Sequence, residues 1–418
     1  MCSSDLENKK QEWKDMPQEE LQKEWFSMWR NYAISDVYEP GSTFKTIVAA
    51  AALEENVANV DTNFYCNGFI RDIPGALLKC SRWYNPHGPQ TLKEGMDNSC
   101  NIVFVDLGRK LGKEKFYKYI KAFGFGETTG IELLGEQAGI IPRNTESIKE
   151  VNLATMSYGH GIAVTPIQLI NAINAIANGG NLMKPRIASH LIDDEGNTVM
   201  ENDVEVIRQV ISKSTSATMM EMMESVVTNG TGISAYVPGY KVAGKTGTAQ
   251  KIIDGRYAPG KYIGSFIGVA PASDPKISVL VIVDEPIGVY YGGSVAAPVA
   301  GKLIEEILDY MEIEPEFTEK EKEEFEYTVK VPDVRDKAIG EGGRILLENE
   351  LKYTSESLNI KEDSKIVDQF PSPGMEVSKG SIVDLYLDEE FESKNKIILP
   401  DLIGKSKEEV IKILDGLG

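Results

Sequence analysis

Ser42-Thr-Phe-Lys45 places a hydroxyl and an amine three residues apart, which on a helix puts both on one face. An amine at a helix N-terminus, near other cations, gives up its proton more readily and can then take the proton of the serine. Ser99-Cys100-Asn101 offers a second hydroxyl and an amide, able to relay a proton and hold a substrate amide. Lys245-Thr246-Gly247-Thr248 offers a cation and hydroxyls suited to a terminal carboxylate, and its glycine lets a substrate backbone lie close to a strand edge. Each motif alone is weak evidence. In this order, separated by 57 and 146 residues, they are strong evidence together for one site built on an activated serine.

A second group of residues has metal-ligand chemistry. Cys66, Cys80, His87 and Cys100 follow the pattern Cys-x13-Cys-x6-His-x12-Cys, a set suited to tetrahedral zinc. The same residues also read as a Cys66–Cys80 disulfide or as separate buried thiols. Because Cys100 sits inside Ser-Cys-Asn, a metal would pin the excursion over 64–90 to the helix carrying Ser99 and Asn101. Its role would be structural, with Asp72 as a spare oxygen ligand and no open position for chemistry. Cys2, in the N-terminal segment, is read as carrying no function.

These residues need elements to position them. Thr43–Asn56 is predicted as an amphipathic to fully buried helix entered through Pro40-Gly41-Ser42. Tyr262–Val269 and Lys276–Asp284 are predicted as a hairpin around Pro271, Asp274 and Pro275. Ser294–Met311 has apolar residues at helical spacing and is expected to cover a sheet face. The Met219–Met223 cluster is read as core helix, Ala122–Gly130 as turns, and Tyr290-Tyr291 as loop or core bordering the groove. The mixture of helical and strand patterns predicts an α+β fold.

The chain divides into a polar N-terminal segment (1–36), a globular domain (37–311), an acidic linker (312–326), a small module (327–390) and part of a second (396–418). The last two rest on a repeat: Val331-Pro-Asp-Val334 returns as Leu399-Pro-Asp-Leu402, 68 residues on. The 418 residues carry a net charge of −20, of which residues 301–418 hold −14 and the first 300 only −6. Such an acidic balance argues against nucleic acid as a partner. The apolar runs are too short for a membrane helix, and the charged N-terminal stretch is no signal peptide.

The wording of the motifs carries a resemblance. Tyr38-Glu-Pro-Gly-Ser-Thr-Phe-Lys45, Asn98-Ser-Cys-Asn101, Tyr158-Gly-His-Gly-Ile-Ala-Val-Thr-Pro-Ile-Gln168 and Ala243-Gly-Lys-Thr-Gly-Thr-Ala-Gln250 are similar to the transpeptidase domain of class B penicillin-binding proteins. Val331-Pro-Asp-Val334, Gln369-Phe-Pro-Ser-Pro-Gly374 and Lys379-Gly-Ser-Ile-Val-Asp-Leu-Tyr386 resemble PASTA modules. The PASTA tail and the cysteine-bearing segment are most similar to the sporulation-specific branch, and division enzymes are the alternative. His160 departs from the family, which usually has a glutamine-like polar residue there.

The resemblance implies a penicillin-binding fold, an antiparallel sheet flanked by helices, followed by small α+β modules. It implies peptidoglycan stem peptides as substrate, no cofactor for the chemistry, β-lactams as inhibitors and a glycosyltransferase partner in the membrane. Ser42 would attack, with Lys45 as base and Ser99 and Lys245 sharing the relay. Asn101 would orient the peptide, and Lys245, Thr246 and Thr248 would hold its carboxylate against Gly247. The Ser42 and Thr248 amides would form the oxyanion hole. The chain is then expected to be the extracytoplasmic portion of a membrane-anchored protein. The PASTA modules would contact the wall or β-lactams, or pack on the catalytic domain. A D,D-carboxypeptidase and a β-lactamase share the trio, and a non-catalytic β-lactam sensor or wall-binding module is a rival of another class.

Overall fold

The stretch after Ser42 is too rich in alanine, valine and isoleucine to present a polar face to water. The structure, a computed structural model, buries it outright: Lys45–Glu54 is an α-helix in which every residue from Lys45 to Ala52 is buried. A 3-10 turn, Gly41–Phe44, leads directly into it, so Ser42 stands at the helix entrance. The predicted element over Thr43–Asn56 is thus a tight turn joined to a shorter helix, which ends before Asn56, a residue with φ 53°. The structure describes residues 13–28, 30–253, 255–322, 328–355, 361 and 363–387.

Two units make up the chain, Met1–Glu316 and Phe317–Gly418. In the first, the nucleophile helix packs against the helices Asn101–Leu111 and Lys213–Asn229. Met219, Met220, Met222 and Met223 of the latter are buried, as expected of a core helix. Beside these helices lies a three-stranded antiparallel sheet, ordered Ile277–Asp284, Arg256–Ala270, Ala243–Ile253.

The predicted hairpin is present and longer than expected. Its first strand runs from Arg256, because Tyr257 and its neighbours continue a second hairpin with Ala243–Ile253 across an irregular step between Tyr257 and Tyr262. That pairing fixes the third motif, setting Lys245 opposite Ile267 and Thr248 opposite Gly264. The helix predicted from Ser294 begins instead at Ala297 and runs to Tyr310, preceded by a single turn, Gly292–Val295. Pro298 accounts for the restart, since a proline without an N–H fits the first turn of a helix and not its interior.

The N-terminal helix Gln18–Met28 buries none of its residues. Among the described residues, no helix is long and apolar enough to cross a membrane.

The second unit folds a helix, Ile339–Glu348, over a three-stranded sheet ordered Lys352–Thr354, Ile382–Leu387, Ile366–Phe370. Val331, Val334, Leu346, Ile366, Val383 and Leu385 fill its core. Val331 and Val334 belong to the repeated tetrapeptide, so that motif does packing work. The second copy, at 396–418, lies outside the described residues, as do Cys2 and residues 323–326 of the acidic run.

Candidate active site

Ser42 is held where three chain segments meet. Gly41, at φ 54°, donates its N–H to the Gly159 carbonyl at 3.1 Å. A Cβ on Gly41 would stand 2.8 Å from the Thr248 carbonyl oxygen and 3.4 Å from the Thr248 nitrogen. The turn carrying Ser42 therefore lies directly against the strand carrying Lys245–Thr248, so the Ser42 and Thr248 amides come from adjoining backbones. Gly247 needs its missing side chain for the same reason: a Cβ there would sit 3.0 Å from the Pro40 carbonyl and from Thr43 Cγ2. Thr248 Oγ1 accepts the Gly292 N–H at 3.0 Å, tying the strand to the turn before the Ala297–Tyr310 helix.

The second motif sits between two helices. Leu92–Asp97 ends, Asn98 caps it, and Ser99 takes φ 51° before Asn101–Leu111 begins. Left-handed backbone in a non-glycine residue costs about 1 kcal/mol or more. Here that conformation presents both polar groups of Ser99 to one amine. Lys45 Nζ donates to the Ser99 carbonyl at 2.6 Å, to Ser99 Oγ at 3.2 Å and to Asn101 Oδ1 at 2.7 Å. Lys245 Nζ donates to the same Ser99 Oγ at 2.9 Å. Ser99 Oγ thus bridges two lysines, both fully buried. Asn101 Nδ2 donates to the Lys79 carbonyl at 3.0 Å, which fixes the amide so that its oxygen faces Lys45.

Burying two ammonium groups side by side is costly, and both amines are shifted toward the neutral form. Burial pulls Lys45 down to about 8, with the Cys100 and Cys80 sulfurs pulling the other way. Burial, and then repulsion from Lys45, holds Lys245 well below the usual lysine range. A neutral amine next to the nucleophile's helix is therefore available near neutral pH.

Sequence reasoning missed several supporting residues. The buried Glu39 accepts the Gly161 N–H at 2.7 Å and the Tyr257 hydroxyl at 3.1 Å, joining the pre-nucleophile loop to two distant segments. Thr231 Oγ1 pairs with Thr246 Oγ1 at 2.8 Å. Glu39 stands in the quoted motif, but no local spacing signals partners 122 and 218 positions away.

Cys66, Cys80, His87 and Cys100 converge, with their ligand atoms all within 4.8 Å of one another. The three thiols are buried and free. Cys80 Sγ is 3.8 Å from Cys100 Sγ and 3.5 Å from His87 Nδ1. Ligands at zinc-like bond lengths of ~2.1–2.3 Å in a tetrahedron stand about 3.5–3.8 Å apart, whereas a disulfide needs about 2 Å. The far nitrogen of His87, Nε2, is buried without a partner. A thiol proton donated by Cys100 pulls Cys80 down and pushes Cys100 up, so the pair holds one thiolate readily. Asp72 is not part of this group. It pairs through both oxygens with Arg109, at 3.0 and 3.1 Å, because a guanidinium matches a carboxylate better than a distant sulfur cluster does.

The chain is similar to known proteins over most of its length. The family model described as penicillin binding protein transpeptidase domain matches residues 3–305, and that of the PASTA domain matches 329–389. Stage V sporulation protein D of Bacillus subtilis is 43% identical over 375 residues, which cover 87% of this chain and 56% of that protein. Peptidoglycan D,D-transpeptidase FtsI of Escherichia coli is 35% identical over 320 residues, 75% of this chain and 50% of that protein. The chain thus spans about half the length of these curated relatives. Among solved structures, penicillin binding protein 3 of Mycobacterium tuberculosis complexed with ampicillin matches with a TM-score of 0.64 at 30% identity, covering 69% of this chain and 66% of that one. The transpeptidase domain of Burkholderia pseudomallei penicillin-binding protein 3 matches with a TM-score of 0.61 at 32% identity, covering 69% and 84%.

Proposed function

Because this chain belongs to the penicillin-binding protein transpeptidase family, we propose that it is the catalytic part of a serine D,D-transpeptidase that cross-links peptidoglycan stem peptides. The observation that carries the reading is Ser99 Oγ, shared by two buried lysines beside the Ser42 turn. Neutral Lys45 takes the Ser42 proton as Oγ attacks the penultimate D-Ala carbonyl. The Ser42 and Thr248 amides stabilise the oxyanion, an effect worth roughly 3–4 kcal/mol in comparable sites. Lys245, Thr246 and Thr248 hold the terminal carboxylate against Gly247, and its negative charge favours the protonated form of Lys245. Lys45 returns its proton to the departing D-Ala amine, and an amine from a neighbouring strand resolves the ester.

We place the reaction outside the cytoplasm, on a membrane-anchored protein working beside a glycosyltransferase. Likeness to stage V sporulation protein D supports a role in sporulation, in the spore cortex. The test is fluorescent penicillin on one sample and, on a second that has met no penicillin, a stem-peptide donor with an amine acceptor. Lasting label with acceptor-dependent product is expected. Rapid turnover of the label would make the protein a β-lactamase, and hydrolysis indifferent to acceptor a carboxypeptidase.

The thiol and imidazole cluster is proposed to hold one structural zinc through Cys66, Cys80, His87 Nδ1 and Cys100. No position is left for chemistry, and the metal would fix Cys100 and hence its neighbours Ser99 and Asn101. Elemental analysis should find about one zinc per chain. Stripping it should lower Tm by roughly 5–10 °C and slow penicillin capture. Protein that lacks zinc yet keeps its Tm and rate would sink the assignment.

A further inference from the structure

His160 is a half-buried titratable group, close to the nucleophile turn, that the chemistry above leaves unused. Its backbone neighbour Gly159 touches the nucleophile turn, accepting the Gly41 N–H at 3.1 Å. The ring lies between two tyrosines, 5.1 Å from Tyr158 and 6.5 Å from Tyr257 between centroids. Tyr257 in turn donates its hydroxyl to the buried Glu39 carboxylate, which also accepts the Gly161 N–H. The cluster is thus held from three segments around the nucleophile. Its open side is toward solvent: His160 is partly exposed and Tyr257 half exposed.

The two ring nitrogens differ. Nδ1 is enclosed with no partner at hydrogen-bond distance, and the Tyr158 carbonyl is the backbone acceptor that bears on the ring. A ligand can therefore reach the ring only at Nε2, which accepts a hydrogen bond when Nδ1 carries the proton. Burial, with the Lys45 charge pushing the same way after it, lowers His160 to about 4. The imidazole therefore stays neutral, a hydrogen-bond acceptor, throughout the working range.

Resting on the transpeptidase reading, we propose that His160 Nε2 binds the amine of the acyl acceptor and aims its lone pair at the Ser42 ester. At this stage Lys45 has given its proton to the departing D-Ala, so the site no longer repels a nitrogen donor. The acceptor nitrogen attacks the acyl carbonyl, the C–N bond forms and the C–Oγ bond breaks. The proton lost by the amine passes to neutral Lys45 and from there to Ser42 Oγ, which restores both groups. His160 holds one amine N–H and takes no proton. The Tyr158 and Tyr257 faces flank the incoming group, and the Glu39 charge behind them favours a nitrogen donor over a carboxylate.

The test separates the two halves of the reaction. His160→Phe keeps a ring between the tyrosines and removes the acceptor atom, while His160→Gln supplies an amide oxygen in its place. Penicillin acylation of Ser42 should change by no more than about twofold in both variants. With a thioester donor and D-alanine as acceptor, His160→Phe should lose about tenfold or more in acceptor-dependent product. The D-alanine concentration for half-maximal rate should rise, and His160→Gln should recover most of the loss. Unchanged acceptor dependence in His160→Phe, or an equal fall in acylation and transfer, would overturn the proposal. Failure of the unaltered protein to capture penicillin would instead refute the transpeptidase reading itself.

Discussion

Replacing Ser42 with alanine will abolish covalent capture of penicillin, and replacing Lys45 with alanine will slow it by about 10²–10⁴-fold. The first follows because Thr43, the other hydroxyl of the turn, is buried and donates to the Pro40 carbonyl at 2.8 Å, which leaves Ser42 as the nucleophile. The second follows from geometry: Lys45 Nζ lies on Ser99 and Asn101, at the base of the helix that Ser42 opens. Lys45→Arg should not restore the rate, because a guanidinium cannot become neutral in this range. The pH dependence has a definite sign. Burial lowers Lys45 to about 8, and the reactive form is the unprotonated one. Acylation should therefore climb with pH through about 8 and level off above it. Stopped-flow penicillin kinetics on the three proteins measures all of this. A Ser42→Ala protein that still takes label, or a rate that falls as pH rises from 7 to 9, contradicts the mechanism.

Gly159→Ala should be the most damaging single methyl in the domain's active face. Gly159 has φ 83°, and a Cβ there would overlap the Gly41 carbonyl oxygen and stand 2.6 Å from its carbonyl carbon. Left-handed strain and forced displacement of the nucleophile turn should together cost roughly 4 kcal/mol. Displacing Ser42 by even an ångström should lower acylation about a hundredfold. Gly196→Ala is the control: its φ is 86°, yet nothing lies within 4 Å of the added carbon. It should lose only the conformational part, and no acylation. Denaturant titration with penicillin kinetics checks both. Equal losses in the two variants would mean that the clash at Gly41 is relieved without moving Ser42.

Much of the site was legible because its chemistry constrains residue types at short spacing. Ser42 with Lys45 and Ser99 with Asn101 are close in sequence, and Lys245–Thr248 lies on one strand, so each spacing is local, and the three in order carry a reading that none carries alone. The convergence of Cys66, Cys80, His87 and Cys100 could be read as well, since few other roles gather three thiols and an imidazole in 35 positions. What could not be read depends on distant partners. Asp72 seemed available as a ligand until Arg109, 37 positions on, took both its oxygens. Glu39 gave no sign of its tie to Tyr257, because that tie requires the long hairpin to bring residue 257 back over the nucleophile loop. The strand's start at Arg256 was hidden for the same reason, since pairing with Ala243–Ile253 and not local propensity extends it.

The nucleophile helix, sealed from Lys45 to Ala52, also sets how the domain fails. A helix with no wet side cannot peel away from its neighbours by degrees, as the exposed Gln18–Met28 helix can. Its amides reach water only when the layers around it part together, and Ser42 stands at its entrance. Penicillin then acts as a census of intact domains. Molecules that have only frayed at their edges still bind it, and molecules that have opened at the centre are not counted.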